Sequence, residues 1–318
     1  MQIVRQLEIE PGMSVSALLS GMSHCGFGAR RLAEAVAIYE TMLSGDFTKF
    51  LTLSGAMVPA GMRNIVSDLI RKEHVDVLVI TGANLVHDII ESFGCHCLGT
   101  PESDDAALRS QGISRIYDVF LRDEDFIGFE ELMQRILPDR AETISGREMM
   151  RLLGAQIEDK RSILRSACDL EVPVFCPALP DSMIGLQAWL HAQTKKLSVD
   201  AFADVKEIVD ICYEAKRSGI VIVGGGVPKN FALQSMLVTP KSFDLVIQLT
   251  TDTPENGGLS GATLSEAVSW GKISADARYV TVYGDATITF PMMVAATMER
   301  LKKGCFKVRE AAGDGSKY

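Results

Sequence analysis

The sequence predicts a doubly wound α/β fold, a mostly parallel sheet with helices on both faces, preceded by an N-terminal helical arm. Three observations carry this. Six short runs rich in Val, Ile and Leu recur along the chain, nearly continuous in apolar character, as strands covered on both faces are. Most are followed by small or polar residues and then by a helical pattern, the rhythm of β–α units. The repeated Gly, Ser, Thr and Asp residues therefore fall at the carboxyl ends of strands, where open α/β sheets bind ligands.

In order, residues 1–27 are weakly patterned and broken by Gly12, Gly21 and Gly26; they predict an arm with one helical turn near Val15–Leu19. From Ala29 to Leu43, the residues Leu32, Ala33, Val36, Tyr39 and Leu43 form a helical stripe that Gly45 stops. Lys49–Leu53 is the first strand, followed by Ser54-Gly55-Ala56 and a helix through Ile70. Val75–Ile80 is the second, followed by Thr81-Gly82-Ala83-Asn84 and a helix to about Phe93. The charged stretch at about 100–160 predicts a mostly helical insertion, with Phe126, Phe129, Leu132 and Ile136 on one packing face. Val172–Cys176 leads through Pro177–Ser182 into a helix to about His191. Ile220–Val223 leads into Gly224-Gly225-Gly226 and a short helix, and Phe243–Leu249 into Thr250-Thr251-Asp252. Tyr279–Tyr283 leads into Gly284-Asp285-Ala286-Thr287 and a helix to about Leu301. The organisation expected is an arm and helix over 1–45, a single Rossmann-like α/β domain over 46–305, and a frayed tail over 306–318.

Composition narrows the function. The 318 residues are 47% hydrophobic and 23% charged, ordinary for a globular chain able to bury a large core. A net charge of −9 without a basic stripe argues against nucleic-acid binding. The longest apolar runs are strand-length, so no membrane span is expected. The N-terminus carries acidic and polar residues instead of a signal peptide, and seven scattered cysteines suit a reducing compartment, so the expected location is cytoplasmic. Cys95-His96-Cys97 is the only cysteine cluster and has no further ligands at a suitable spacing, so no metal is expected.

The chemistry concentrates in Asn256–Ile273. A turn rich in glycine (Gly257, Gly258, Gly261) leads into a short helix from about Thr263, which Gly271 ends. Glu266 and Trp270 are spaced i, i+4 and share a face, and Lys272 follows the break. An indole beside a lysine can desolvate it, lower its pKa and free the amine as a nucleophile. The alternative is a surface helix with a lysine near the negative end of its dipole. Gly224-Gly225-Gly226 after a strand suits either a phosphate-binding turn or a tight turn alone, since it is not G-x-G-x-x-G. Asp181 and Asp285, at two strand ends, suit hydrogen bonding to a ribose or a cation, and equally helix capping. A lone histidine such as His87 is more often packed or solvent-facing than catalytic.

Several motifs together resemble the deoxyhypusine synthase family: Glu-Ala-Val-Ser-Trp-Gly-Lys-Ile at 266–273, Phe-Cys-Pro-Ala-Leu at 175–179 followed by Asp181, and Gly-Gly-Gly-Val at 224–227. Val-Asp-Val-Leu-Val at 75–79 and Val-Tyr-Gly-Asp-Ala at 282–286 add to the resemblance, which spans roughly 25–302 in the same order. It implies an NAD-dependent enzyme that oxidises spermidine and passes its aminobutyl group through an enzyme lysine to a lysine of a translation initiation factor. The enzyme lysine matches Lys272. Glu266 and Trp270 match residues lining the polyamine site, and the resemblance puts His87 and Asn230 at further substrate positions. Thr81, Gly82, Asp181, Gly225, Gly226, Thr251, Gly284 and Asp285 fall around the cofactor. A homotetramer with active sites at subunit interfaces is also implied.

The departures bear on the substrate. His87 replaces a carboxylate that in the family touches both cofactor and polyamine. Leu186 and Leu259 stand where the family has polyamine-binding aspartates, Asn230 replaces a histidine, and Gln248 a tyrosine. Losing three carboxylates weakens recognition of a long tricationic amine, because each buried ammonium needs a partner. Two alternatives stay open: a relative that transfers the aminobutyl group to a small amine such as putrescine, making homospermidine, and a non-catalytic NAD-binding protein.

Overall fold

The computed structural model describes the backbone of residues 3–313 and the side chains of 3–302; 314–318, the end of the predicted tail, lie outside the described residues. The chain begins with helices Val15–Met22 (α1) and Phe27–Ser44 (α2), then strand Thr48–Leu53 (β1). A widened turn at Val58–Met62 feeds helix Arg63–Arg71 (α3), followed by Val77–Ile80 (β2) and Gly82–Ile90 (α4). The insertion comprises Cys97–Leu98 (β3), Asp105–Ser110 (α5), Ile113–Ile116 (β4), Val119–Arg122 (β5), Asp123–Ile136 (α6), Thr143–Ser145 (β6), Gly146–Gln156 (α7) and Ile163–Asp169 (α8). Then come Val174–Phe175 (β7), Met183–Ala192 (α9), Ser198–Asp200 (β8), Ala201–Glu214 (α10), Ser218–Val223 (β9) and Gly226–Ser235 (α11). Phe243–Thr250 (β10), Leu264–Ser269 (α12), Ile273–Tyr283 (β11) and Ala286–Gly313 (α13) complete the fold.

All six predicted strands lie in one sheet of order β11-β10-β9-β1-β2-β7, and every pairing is parallel. Numbered by appearance within this sheet, the order is 6-5-4-1-2-3, so strand order reverses between β1 and β9 and leaves a crevice at their carboxyl ends. The pleat divides the core by alternation. Leu51, Leu53, Leu78, Ile80, Val221, Val223, Leu245 and Ile247 face one layer, which includes Val36 and Tyr39 of α2, Leu85 and Ile89 of α4 and Phe290 and Met293 of α13. Phe50, Val77, Val79, Ile220, Ile222 and Val246 face the other, with Ile208 of α10, Leu233 of α11 and Leu264 of α12.

Three expectations are adjusted. Helices α5, α6 and α7 make up most of the insertion's regular structure, as expected, but β3, β5 and β4 add a small antiparallel sheet that was not. Its hairpin turns at Tyr117-Asp118, with Tyr117 at φ 54, and lacks the glycine that usually announces a two-residue hairpin. The predicted face of α6 does pack, with Phe129 fully buried. The strand predicted at Tyr279–Tyr283 starts at Ile273, because β11 is an edge strand whose exposed Ala275 and Asp276 break the apolar run. The tail predicted from 306 is helical to Gly313.

One buried charge fastens the helices on the first face. Asp88 of α4, fully buried, accepts from Arg63 Nε at 2.7 Å, from Ser162 Oγ at 2.7 Å, and from the amides of Ile163 and Leu164 at 2.9 and 3.0 Å. It thus caps α8 while pairing with α3. Arg63 Nη1 also donates to Asp159 at 2.7 Å. Burial pushes the Asp159 carboxyl up, but the Arg161 amide and the Arg63 guanidinium outweigh it and hold it below its ordinary value. Arg63→Leu leaves Asp88 buried without its cation, so urea unfolding should show a loss of about 3–5 kcal/mol. A carboxyl with a depressed folded pKa contributes stability above its unfolded pKa, near 4, and loses it as pH falls further. The variant should therefore lose part of the acid-side slope of wild-type stability between about pH 4 and 2.

Candidate active site

The crevice is built around a glycine turn. Gly224, at φ +77, begins the turn from β9 into α11, and a Cβ there would lie 2.4 Å from Ser54 Oγ. That hydroxyl, just past β1, donates to Val223 O at 3.1 Å and accepts from the Gly225 amide at 2.8 Å, bridging the two strands at the reversal. A Cβ on Gly225 would stand 2.4 Å from Ser260 Cα, so the loop after β10 closes over the turn, and the Gly226 amide donates to Ser260 Oγ at 3.0 Å. One strand over, α4 starts at Gly82 with Thr81 as its N-cap, and no side chain takes the first-turn amides. Asn84 holds that turn to the loop after β1: its Oδ1 accepts from the Val58 amide and its Nδ2 donates to Gly55 O. Asp285 caps α13 through Oδ1, which accepts from the Thr287 amide and hydroxyl. Thr81, Gly82, Asp181, Gly225, Gly226, Thr251, Gly284 and Asp285 are therefore all brought to the carboxyl edge of the sheet.

The lysine stretch leads away from this edge across the second face. Thr263 and Glu266 form a capping box at the start of α12, with Glu266 Oε2 accepting from the Thr263 amide and hydroxyl. Trp270 is the C-cap and Gly271, at φ +72, follows it. The Lys272 amide reaches back to Ala267 O and that of Gly271 to Val268 O, a Schellman ending that needs the left-handed glycine. This turns Lys272 back beside Trp270, with Nζ 5.9 Å from the indole centroid. Ile273 pairs with Phe243 at the amino end of β10, so Lys272 lies beyond the helix rather than in the crevice. The two residues line a hollow of about 260 Å³ between α11 and α12, with Lys229, Asn230, Leu259 and Glu266.

The most perturbed amine in this hollow is Lys229. It is buried, and its Nζ donates to Gln248 Oε1 at 3.1 Å and to Ala262 O at 2.5 Å, neither of them charged. Burial pushes its ammonium down to about 8, against the opposing pull of Glu266 and Asp252. Gln248 also donates to Gly224 O and Ser260 O, which ties the lysine hollow to the glycine turn.

His87 is not brought to this hollow. It belongs to α4, on the first face, whereas Asn230, Glu266, Trp270 and Lys272 belong to the elements of the second. Its ring packs against His96 and Phe126. Among the described residues no group of three or more His, Cys, Asp or Glu side chains could hold a metal. No described helix is long and apolar enough to cross a membrane.

The family model for deoxyhypusine synthase matches residues 17–297. The chain belongs to the deoxyhypusine synthase family. A protein of Methanosarcina acetivorans named probable deoxyhypusine synthase 1 is 55% identical over 305 residues, covering 94% of this chain and 96% of the relative. One of the same name from Archaeoglobus fulgidus is 47% identical over 294 residues, covering 92% and 97%. Among solved structures, a deoxyhypusine synthase described from Entamoeba histolytica superposes with a TM-score of 0.64 at 16% identity, covering 91% of this chain and 94% of that one. AgrE, in a ternary complex with ornithine and NAD+, has a TM-score of 0.54 at 11% identity and is covered to 34% of its length by 86% of this chain, a likeness of fold. Deoxyhypusine synthases are NAD-dependent transferases, so transfer is the reaction class and NAD the cofactor.

The crevice fits a dinucleotide. Gly224 and Gly225 have no room for side chains, Gly226 faces open space, and the first-turn amides of α4 are free of side-chain partners, as a pyrophosphate requires. Asp285 uses only Oδ1 in capping.

Sequence reasoning missed Lys229, Ser54 and Ser260, and it named Gln248 only as a departure from the family, without its buried network. One signal was present: Gln248 interrupts the apolar run Leu245-Val246-Ile247-Gln248-Leu249, and a polar residue there needs buried partners. The Lys229 amine gives a test with a definite sign. Its folded pKa lies below its unfolded one, so between about pH 8 and 10.5 the unfolded chain holds a proton that the native one has shed, and stability rises with pH. The wild type should gain stability over Lys229→Met across that window in urea titrations at successive pH values.

Proposed function

We propose that the chain is a deoxyhypusine synthase, transferring the aminobutyl group of spermidine through an imine on Lys272 to a lysine of the hypusine-bearing translation initiation factor. The observation that carries this reading is the placement of Lys272: the Schellman ending of α12 turns it beside Trp270 in a hollow of molecular size. Thr81, Gly82, Asp181, Gly225, Gly226, Thr251, Gly284 and Asp285 would hold NAD, which supplies a hydride acceptor when bound. The face of Trp270 suits a polyamine cation, and the Glu266 oxygen left free by the capping box suits an ammonium. Lys272 Nζ adds to the oxidised carbon, the propylamine nitrogen leaves with a proton, and the group stays on the enzyme as an imine until an acceptor amine displaces it; return of the hydride removed at the start then reduces the acceptor's imine to the aminobutyl amine. The intended setting is the cytoplasm.

A second reading concerns the acceptor. Leu186 and Leu259, both exposed, offer no charge where family members place carboxylates, which favours a shorter acceptor amine such as putrescine. Assay with spermidine, NAD and either the factor precursor or putrescine separates the two. Lys272→Arg should abolish transfer and borohydride trapping of labelled spermidine while leaving NAD binding by calorimetry nearly intact, because arginine stays protonated. Transfer at a near-normal rate would make Lys272 structural.

The division of the substrate residues between two sheet faces supports a site completed by a second copy in a homotetramer. Exposed Trp189, Phe202, Trp270 and Ile288 leave apolar surface for such contacts. His87→Ala and Lys272→Arg chains, each inactive alone, should regain part of the activity when co-assembled, because a mixed pair forms one site with both residues intact. No recovery in verified mixed oligomers would place both residues in one chain's site.

A further inference from the structure

Two side chains with no role in the scheme above, Glu91 and His96, form a chain with His87 on the first face. Glu91, at the end of α4, contacts His96 twice: its Oε1 accepts from the His96 amide at 3.0 Å and meets ring Nδ1 in a short hydrogen bond. His96 Nε2 then lies 2.9 Å from Nδ1 of His87, with the rings edge-on and their centroids 4.9 Å apart. The His96 side chain is 6% exposed, held between its two partners. Glu91 and His96 line a hollow of about 590 Å³ with Val58, Gly61, Arg63 and Asn64. That hollow opens where β1 ends, and Asn84 bonds its wall to the first turn of α4.

Hydrogen-bond accounting sets the proton positions along such a chain. A carboxylate only accepts, so His96 carries its proton on Nδ1. With its ring proton on Nδ1, His96 is bare at Nε2 and accepts, so His87 carries its proton on Nδ1. His87 Nε2 is left as an open lone pair. We propose that Glu91 and His96 are positioning residues that hold His87 as a neutral base, and that His87 Nε2 takes the proton from the secondary ammonium of the polyamine before its oxidation. This rests on the proposed function. The step balances: the amine N–H bond breaks, an N–H bond forms on His87, and the positive charge passes from amine to imidazole. The amine lone pair it frees is what allows a hydride to leave the adjacent carbon.

The surroundings agree with a neutral His87. Burial pushes its pKa down to about 4, while Glu91 opposes. Helix α6 packs the Phe126 ring against it, and the neighbouring Asp88 is taken up by Arg63 and α8. The Glu91 carboxyl is held below its ordinary value, chiefly by its bond to His96, so it is ionised at neutral pH.

Nitrogen-15 NMR of the histidine-labelled apo protein reads the tautomer directly. His87 should carry its proton on Nδ1 at neutral pH, lose that preference in His96→Phe and in Glu91→Leu, and keep it in Glu91→Gln, whose amide oxygen still accepts. Glu91 is partly exposed, so its variants test the relay even if His96→Phe fails to fold. A proton on His87 Nε2 in the wild type, or an unchanged tautomer in Glu91→Leu and His96→Phe, overturns the relay. In the amine-oxidation half-reaction, followed as NADH formation, His87→Ala should lower the rate by about 10²–10⁴-fold. Glu91→Leu should lower kcat with KM nearly unchanged and shift its pH profile, and Glu91→Gln should restore most of the rate. A wild-type rate in His87→Ala overturns the base assignment. Absence of NADH formation by the wild type with any polyamine instead overturns the proposed function, and the tautomer measurement still judges the relay.

Discussion

A single carboxylate without solvent sets the arrangement of the first face. Asp88 is fully buried and accepts from the α3 guanidinium and from the start of α8. A charge in that position is tolerable only when every lone pair is used, because an uncompensated ion in the interior costs several kcal/mol. The three helices are therefore fixed relative to one another by chemistry instead of by apolar packing, which has no preferred direction. The consequence reaches the site. Asp88 locks α4 along its length, Asn84 locks its first turn to the loop after β1, and His87 lies between these two anchors.

On the opposite face a polar network of different character does the corresponding job. Gln248 points from the middle of β10 into an otherwise apolar layer, and its three hydrogen bonds join the glycine turn, the loop after β10 and the Lys229 amine. Ser54 and Ser260 add to it by accepting the amides of Gly225 and Gly226. The glycine turn is thus held from three strands, β1, β9 and β10. A turn held this way keeps its shape before a ligand arrives, which lowers the ordering cost of binding.

The architecture was legible in the sequence because it rests on repetition. Six near-continuous apolar runs separated by helical patterns admit few arrangements other than a covered parallel sheet, and right-handed crossovers limit the rest. The antiparallel ribbon of the insertion was not legible, since Tyr117-Asp118 makes its turn with a non-glycine residue at positive φ. Within the site, Lys272, Trp270 and Glu266 are close in sequence and share one helix end, so local spacing is enough to group them. Lys229, Gln248, Glu91 and His96 act through partners distant along the chain or across an irregular loop, and no spacing rule reports such contacts. The division of His87 from Lys272 was hidden for a related reason. Motif order says which residues recur, whereas the face on which a helix lands depends on the crossover that carries it there.

That division also bears on how a site poor in carboxylates handles a polycation. Among the residues lining the hollow around Lys272 the carboxylate is Glu266, and one of its oxygens is already committed to the capping box, while Lys229 adds a second amine. An isolated hollow of this composition gives a long cationic chain little to pair with, and binding there without further partners leaves ammonium groups desolvated and unpaired. The groups that accept protons or hydrogen bonds lie instead on the first face, in the Glu91–His96–His87 chain and the hollow beside it. If both sets act on one substrate, the molecule must span surfaces that one copy keeps apart, and the acceptors then meet the amine only after assembly. An imidazole in place of a carboxylate suits that geometry. It removes a proton without adding a fixed negative charge, so the amine is met by a base that stays neutral until the substrate arrives.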